Sequence, residues 1–195
     1  MSAVAQHAQR RRAAPNGVWG MALFLCAEIA LFGTLIGAYY YLNFNSHHWP
    51  QAGIKPESIP LPAIATGWLV LTLIPIWFAS HAVRLGQRSR AVLMIGLALA
   101  TQAGYLAFQI LLYIDDLHRF RPQSSAYGSI YYTLLTAHHA HVAFGLALDL
   151  VIGWKLISRG LTDYWLIAVR GLALYWYVVG GLAVAVLLTQ LTPSL

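Results

Sequence analysis

The chain has 195 residues, of which 59% are hydrophobic and 9% charged, with a mean hydropathy of +0.62; soluble domains carry roughly 25% charged residues, so an ordinary soluble fold is excluded. Its net charge of +6 comes from short basic clusters between apolar runs, not from a folded basic face, which argues against nucleic acid as a partner. One cysteine, Cys26, leaves no disulfide within the chain and no cysteine-based metal site.

Residues 1–17 are read as a polar cytosolic tail carrying Arg10, Arg11 and Arg12, without the apolar stretch of a cleavable signal. Residues 18–195 form one membrane domain. Five apolar segments, near 18–42, 63–85, 91–114, 130–154 and 165–190, each match the ~20 residues that cross ~30 Å of hydrocarbon. The expected fold is therefore all-α, a polytopic bundle of five transmembrane helices. Between the spans lie a proline-containing loop (43–62), a tight basic turn (86–90), a charged loop (115–127) and a short link (155–164).

Alternate loops differ in charge. Arg10, Arg11, Arg12, Arg84, Arg88, Arg90, Lys155, Arg159 and Arg170 fall on one side, and only Lys55, Arg119 and Arg121 on the other. The positive-inside rule then predicts a cytoplasmic N-terminus and a periplasmic C-terminus. In the first span Gly33 and Gly37 make a small-xxx-small step, and Gly180-Gly181 offers a second point of close approach. Pro75 predicts a kink in the second span. Trp19, Tyr39 to Tyr41, Trp49, Tyr113, Tyr131, Tyr132, Trp154, Tyr164 and Trp165 lie near span ends and are expected to anchor at the lipid interface.

Ionisable residues within the spans are Glu28, His81, His138, His139, His141 and Asp149. Polar groups at such depth face a bundle interior and are functional candidates. His138 and His141 lie about 60° apart on a helix, with Gly145 on the same stripe and His139 elsewhere. Glu28 and this histidine pair sit near the middle of their spans, so a carboxyl can meet an imidazole at one level. His81 and Asp149 lie roughly 10 Å toward the basic side, at a level where they can form a second, inner pair. Three chemistries compete for the set: interhelical hydrogen bonding worth about 0.6–2 kcal/mol per contact, proton handling by carboxyl and imidazole, and a metal or redox centre. His-x-x-His supplies only two ligands, and no Glu-x-x-His motif accompanies it, so no catalytic, cofactor or metal residue is assigned.

Several stretches carry a family resemblance. Trp19-Gly-Met-Ala-Leu-Phe-Leu-Cys-Ala-Glu28, Phe78-Ala-Ser-His81, Tyr127-Gly-Ser129 followed by His138-x-x-His141-Val142 with Gly145, Ser158-Arg-Gly-Leu-Thr162 and Tyr175-Trp176 together resemble subunit III of the haem-copper terminal oxidases, of both cytochrome c and quinol types. The similarity covers roughly residues 18 to 190. It implies an accessory subunit of an aerobic respiratory oxidase in a bacterial plasma (inner) membrane. Such a subunit packs against catalytic subunit I and subunit II, holds phospholipid, and supports assembly and proton uptake. It has no cofactor of its own, haem and copper residing in the partner subunits. The resemblance is to a short form, without two further amino-terminal helices of longer members. Departures mark a divergent branch: Tyr177 and Gly180 replace the family's histidine and aspartate after Trp176, Leu112 replaces a glutamate, and His139 and Asp149 are additions. A homologue serving a nitric oxide reductase, or a stand-alone proton or small-solute transporter built on Glu28, His81, His138, His141 and Asp149, are the alternatives.

Overall fold

A computed structural model describes residues 16–51, 54 and 60–191, and among them every regular element is helical. The helices are α1 (Asn16–Phe44), α2 (Pro60–Leu71), α3 (Leu73–Arg84), α4 (Arg88–Arg119), α5 (Ala126–Arg159) and α6 (Asp163–Leu191), with a 3-10 turn at Pro122–Ser124. α2 and α3 together make one span, so five units are long and apolar enough to cross a membrane. The tail with Arg10 to Arg12, and Lys55, lie outside the described residues.

The second span divides where proline chemistry requires. Pro75 has no N–H for the carbonyl four residues earlier, and helix regularity lapses at Thr72. The buried Thr72 hydroxyl turns back to donate to the Leu69 carbonyl at 2.7 Å, so it is satisfied within the break. The α3–α4 turn is a Schellman closure. Gln87 N donates to Ala82 O at 2.9 Å, Gly86 N to Val83 O at 3.1 Å, and Gly86 takes φ +71°, which a Cβ disfavours.

α4 and α5 run beyond the apolar segments that announced them, to 32 and 34 residues. Hydropathy falls at Asp115, but helical hydrogen bonding continues there because Asp116 turns inward onto Tyr131 and Asp115 pairs with Arg119 at 2.6 Å. Ser125 caps α5 by accepting from Gly128 N at 3.0 Å. At the opposite end Arg88 donates to the Leu156 carbonyl at 2.8 Å and to the Ile157 carbonyl, closing the last turn of α5. The basic α3–α4 turn and the α5 terminus thus share one end of the bundle.

Chain neighbours are not all spatial neighbours. α1 packs on α5 and α6 and makes no substantial contact with α2 or α3, whereas α6 touches α1, α2, α3 and α5. The spans close into a ring in the order first, fourth, third, second, fifth, with α5 and α6 also meeting across it. One core cluster centres on Leu69, Ile76, Ile95, Leu156 and Trp176, the other on Phe32, Tyr39, Tyr127, Tyr131 and Leu134. Leu23, Leu93, Leu111 and Leu188 face outward, as a lipid-solvated exterior demands.

Two sequence expectations are corrected by this packing. Tyr39, Tyr131 and Tyr132 are not interfacial anchors but core residues, at most 3% exposed, in edge-on contact with Trp49, Phe120 and one another; Trp19, Tyr41, Trp154 and Tyr164 do face outward. Gly33 and Gly37 face outward as well, with nothing within 4 Å of the Cβ either would carry. Close approach is found instead at Gly145, where an added Cβ would lie 2.5 Å from the Trp176 ring, and, as expected, at Gly180, where it would lie 3.0 Å from Leu73 Cδ1, whereas Gly181 has nothing within 4 Å.

Candidate functional site: buried polar pairs between the helices

Each polar residue of the spans faces whichever neighbour its helix rotation dictates. Glu28 of α1 meets His141 of α5, Oε2 against Nε2. His141 Nδ1 lies 2.6 Å from the Ala137 carbonyl of the preceding turn. A carbonyl only accepts, so Nδ1 carries a hydrogen, and Nε2 must then either accept from a protonated Glu28 or, as imidazolium, donate to its carboxylate. In both states the contact holds one proton and no net charge. The edge of Phe32 packs on the His141 ring at 5.2 Å, and the Tyr175 hydroxyl donates to the His141 carbonyl at 2.6 Å, tying α6 to the pair. Both side chains keep 16% exposure, so the pair sits at the rim of the bundle rather than at its centre.

His138 turns away from Glu28 toward α4. Its Nε2 lies 3.1 Å from the Tyr105 hydroxyl, which also accepts from Gln109 Nε2 at 3.0 Å. The Glu28–imidazole pairing therefore involves one of the two candidate histidines, since 60° of helix rotation is enough to send the other to a different helix. His139 lies edge-on to Tyr113 at 5.7 Å.

Asp149 does not pair with His81. It is fully buried on α5, where both oxygens accept from Trp176 Nε1 of α6 at 3.1 and 3.3 Å. The Gln102 side chain of α4, with its amide nitrogen toward the carboxylate, donates to Oδ2 at 2.7 Å. His81 faces outward from α3, its ring stacked on Trp77 at 5.6 Å. It lines a hollow of about 490 Å³ with Trp77, Arg84, Arg170 and Tyr177, and neither arginine has an acidic partner among the described residues. Depth is fixed by sequence position, but azimuth is decided by packing.

Sequence reasoning passed over Gln102, Tyr105, Gln109 and Asp116. They stand at i, i+3, i+7 and i+14 of α4, all buried, on a single stripe facing α5 and α6. That period within an apolar span is the signal that would have found them. Asp116 Oδ2 accepts from the Tyr131 hydroxyl at 2.7 Å. Among the described residues, no three His, Cys, Asp or Glu side chains converge as a metal site would require. What the arrangement offers is a set of hydrogen-bonded pairs between helices, one of which, Glu28–His141, keeps partial exposure at the rim of the bundle.

The family model described as cytochrome c oxidase subunit III matches residues 4–189. Among curated relatives, the cytochrome c oxidase subunit 3 of Bacillus sp. (strain PS3) is 30% identical over 152 residues, covering 76% of this chain and 72% of the relative. That of Bacillus subtilis is 30% identical over 151 residues, with 76% and 72% covered. The cytochrome bo(3) ubiquinol oxidase subunit 3 of Pseudomonas aeruginosa is 26% identical over 152 residues, with 75% and 70% covered.

Proposed function

The chain belongs to the cytochrome c oxidase subunit III family, and from that premise we propose how its polar pairs serve the complex it joins. It is an accessory subunit of a haem-copper oxidase and a multi-pass membrane protein. Our reading is that it packs against catalytic subunit I and subunit II in a bacterial plasma membrane, the haem and copper being held by those partners. Its amino terminus is cytoplasmic and its basic end faces the cytosol. Its own contribution is to stabilise the complex and to support proton uptake by the core.

The Glu28–His141 contact carries this reading. It holds one proton, lies at the least enclosed helix of the bundle, and is anchored from α6 through Tyr175. A proton held at such a rim can be exchanged with a neighbouring subunit without disturbing the interior. Glu28→Gln keeps a donor for Nε2 while removing the exchangeable proton, so assembly is expected to persist while proton-coupled turnover or the working lifetime of the complex falls. Purification should bring down a haem-bearing partner with the wild-type chain and the variant alike. Unchanged turnover and lifetime would reduce Glu28 to packing, and absence of any haem-bearing partner would overturn the assignment to a complex.

Phospholipid completes the reading. Arg84 and Arg170 line one outward hollow near the basic end, with Trp77 and Tyr177 beside them, an arrangement suited to an anionic headgroup over apolar contacts.

A further inference from the structure

A cavity of about 20 Å³ lies between α2, α4, α5 and α6, and its polar wall is made by Thr66, Tyr105, Gln109, Asp116, Tyr131, His138 and Gln190. One water needs about 10–15 Å³ of such space and two to four polar partners. Gln190 Nε2 is buried without a hydrogen-bond partner among the described residues, and so is His138 Nδ1; the two residues are 5% and 2% exposed. Native interiors rarely leave such atoms unmet unless a water or ion meets them.

The hydrogen inventory says which. Gln109 donates to the Tyr105 oxygen, which also contacts His138 Nε2. If the phenol donates to Nε2, the hydrogen of a neutral imidazole sits on Nδ1 with nothing to accept it; if Nε2–H donates to the phenol, the phenol hydrogen is left over. Either way the trio has one surplus donor, and Gln190 adds another. Surplus donors need an acceptor, which favours water over a cation. Acceptors for the water's own hydrogens line the same wall, in the Asp116 carboxyl group, the Gln109 amide oxygen and the Thr66 hydroxyl.

We propose that this cavity is a hydration site whose single ordered water joins Gln190 and the His138–Tyr105–Gln109 chain to the Asp116–Tyr131 pair. The result is a continuous hydrogen-bonded file from the middle of α5 to the end of α4, separate from the Glu28–His141 pair. It depends only on the bundle interior and stands or falls independently of the oxidase partner.

The test uses the purified full chain in lipid nanodiscs. A structure at water-resolving resolution should show one density within hydrogen-bond distance of Gln190 Nε2 inside the cavity. Gln190→Leu should then lower the melting temperature by about 2–4 °C, because the water loses its anchor and the remaining polar groups lose the water. If the cavity were dry, the same substitution would replace an unsatisfied amide by a hydrocarbon of similar size and raise the melting temperature. A cavity without density, or a Gln190→Leu variant as stable as the wild type or more so, overturns the proposal.

Discussion

Gly145→Ala is the sharpest probe of how the bundle is held. The Cβ it introduces would lie 2.5 and 2.8 Å from Trp176 Cζ2 and Cη2, and 2.9 Å from Tyr175 Cε1. Carbon atoms in ordinary contact stand about 3.5–4.0 Å apart, so both rings must retreat by roughly 1 Å. Neither can do so freely. Both are fully buried, the indole donates to Asp149 and the phenol to the His141 carbonyl. Overpacking of a filled core costs about 1–3 kcal/mol, and stretching the indole–carboxyl bond removes about 0.5–1.5 kcal/mol more. A loss of about 1.5–4.5 kcal/mol is therefore expected, measured by circular dichroism during denaturant titration in mixed micelles. Gly33→Ala is the control, because its Cβ meets nothing within 4 Å, and a change within about 0.5 kcal/mol is expected. The reasoning fails if Gly145→Ala matches the wild type, or if the two alanines cost the same.

Other outcomes follow from the same contacts. Asp149→Leu strands the Trp176 indole in a fully buried setting, while the Gln102 amide nitrogen keeps the Ala98 carbonyl as an acceptor, and should cost about 1–3 kcal/mol, whereas Asp149→Asn keeps an acceptor for the indole and should lose less than half as much in the same titration. His141→Ala removes the partner of Glu28 and is expected to lower the yield of assembled complex, with His139→Ala, which breaks no hydrogen bond among the described residues, much milder by size-exclusion chromatography. Arg88→Met retains the apolar stem but not the donors to Leu156 and Ile157, so hydrogen exchange should accelerate in the last turn of α5 and stay unchanged near Ser125.

Sequence alone determined whatever depends on position along a helix. Five apolar runs gave five spans, the basic loops gathered at one end, Pro75 interrupted the second span, and the level of Glu28 matched that of His141, because solvation by lipid and rise per residue are properties of each segment taken separately. Only the tertiary structure decided azimuth and neighbourhood. Packing sent His138 to Tyr105 and Asp149 to Trp176, left His81 and Gly33 on the exterior, and placed the first span beside the fourth and fifth rather than beside the second. In a lipid-solvated bundle hydrophobicity does not say which side of an apolar helix turns inward, so helix rotation was fixed by interlocking shapes such as Gly145 against Trp176 and by the hydrogen bonds those shapes permit.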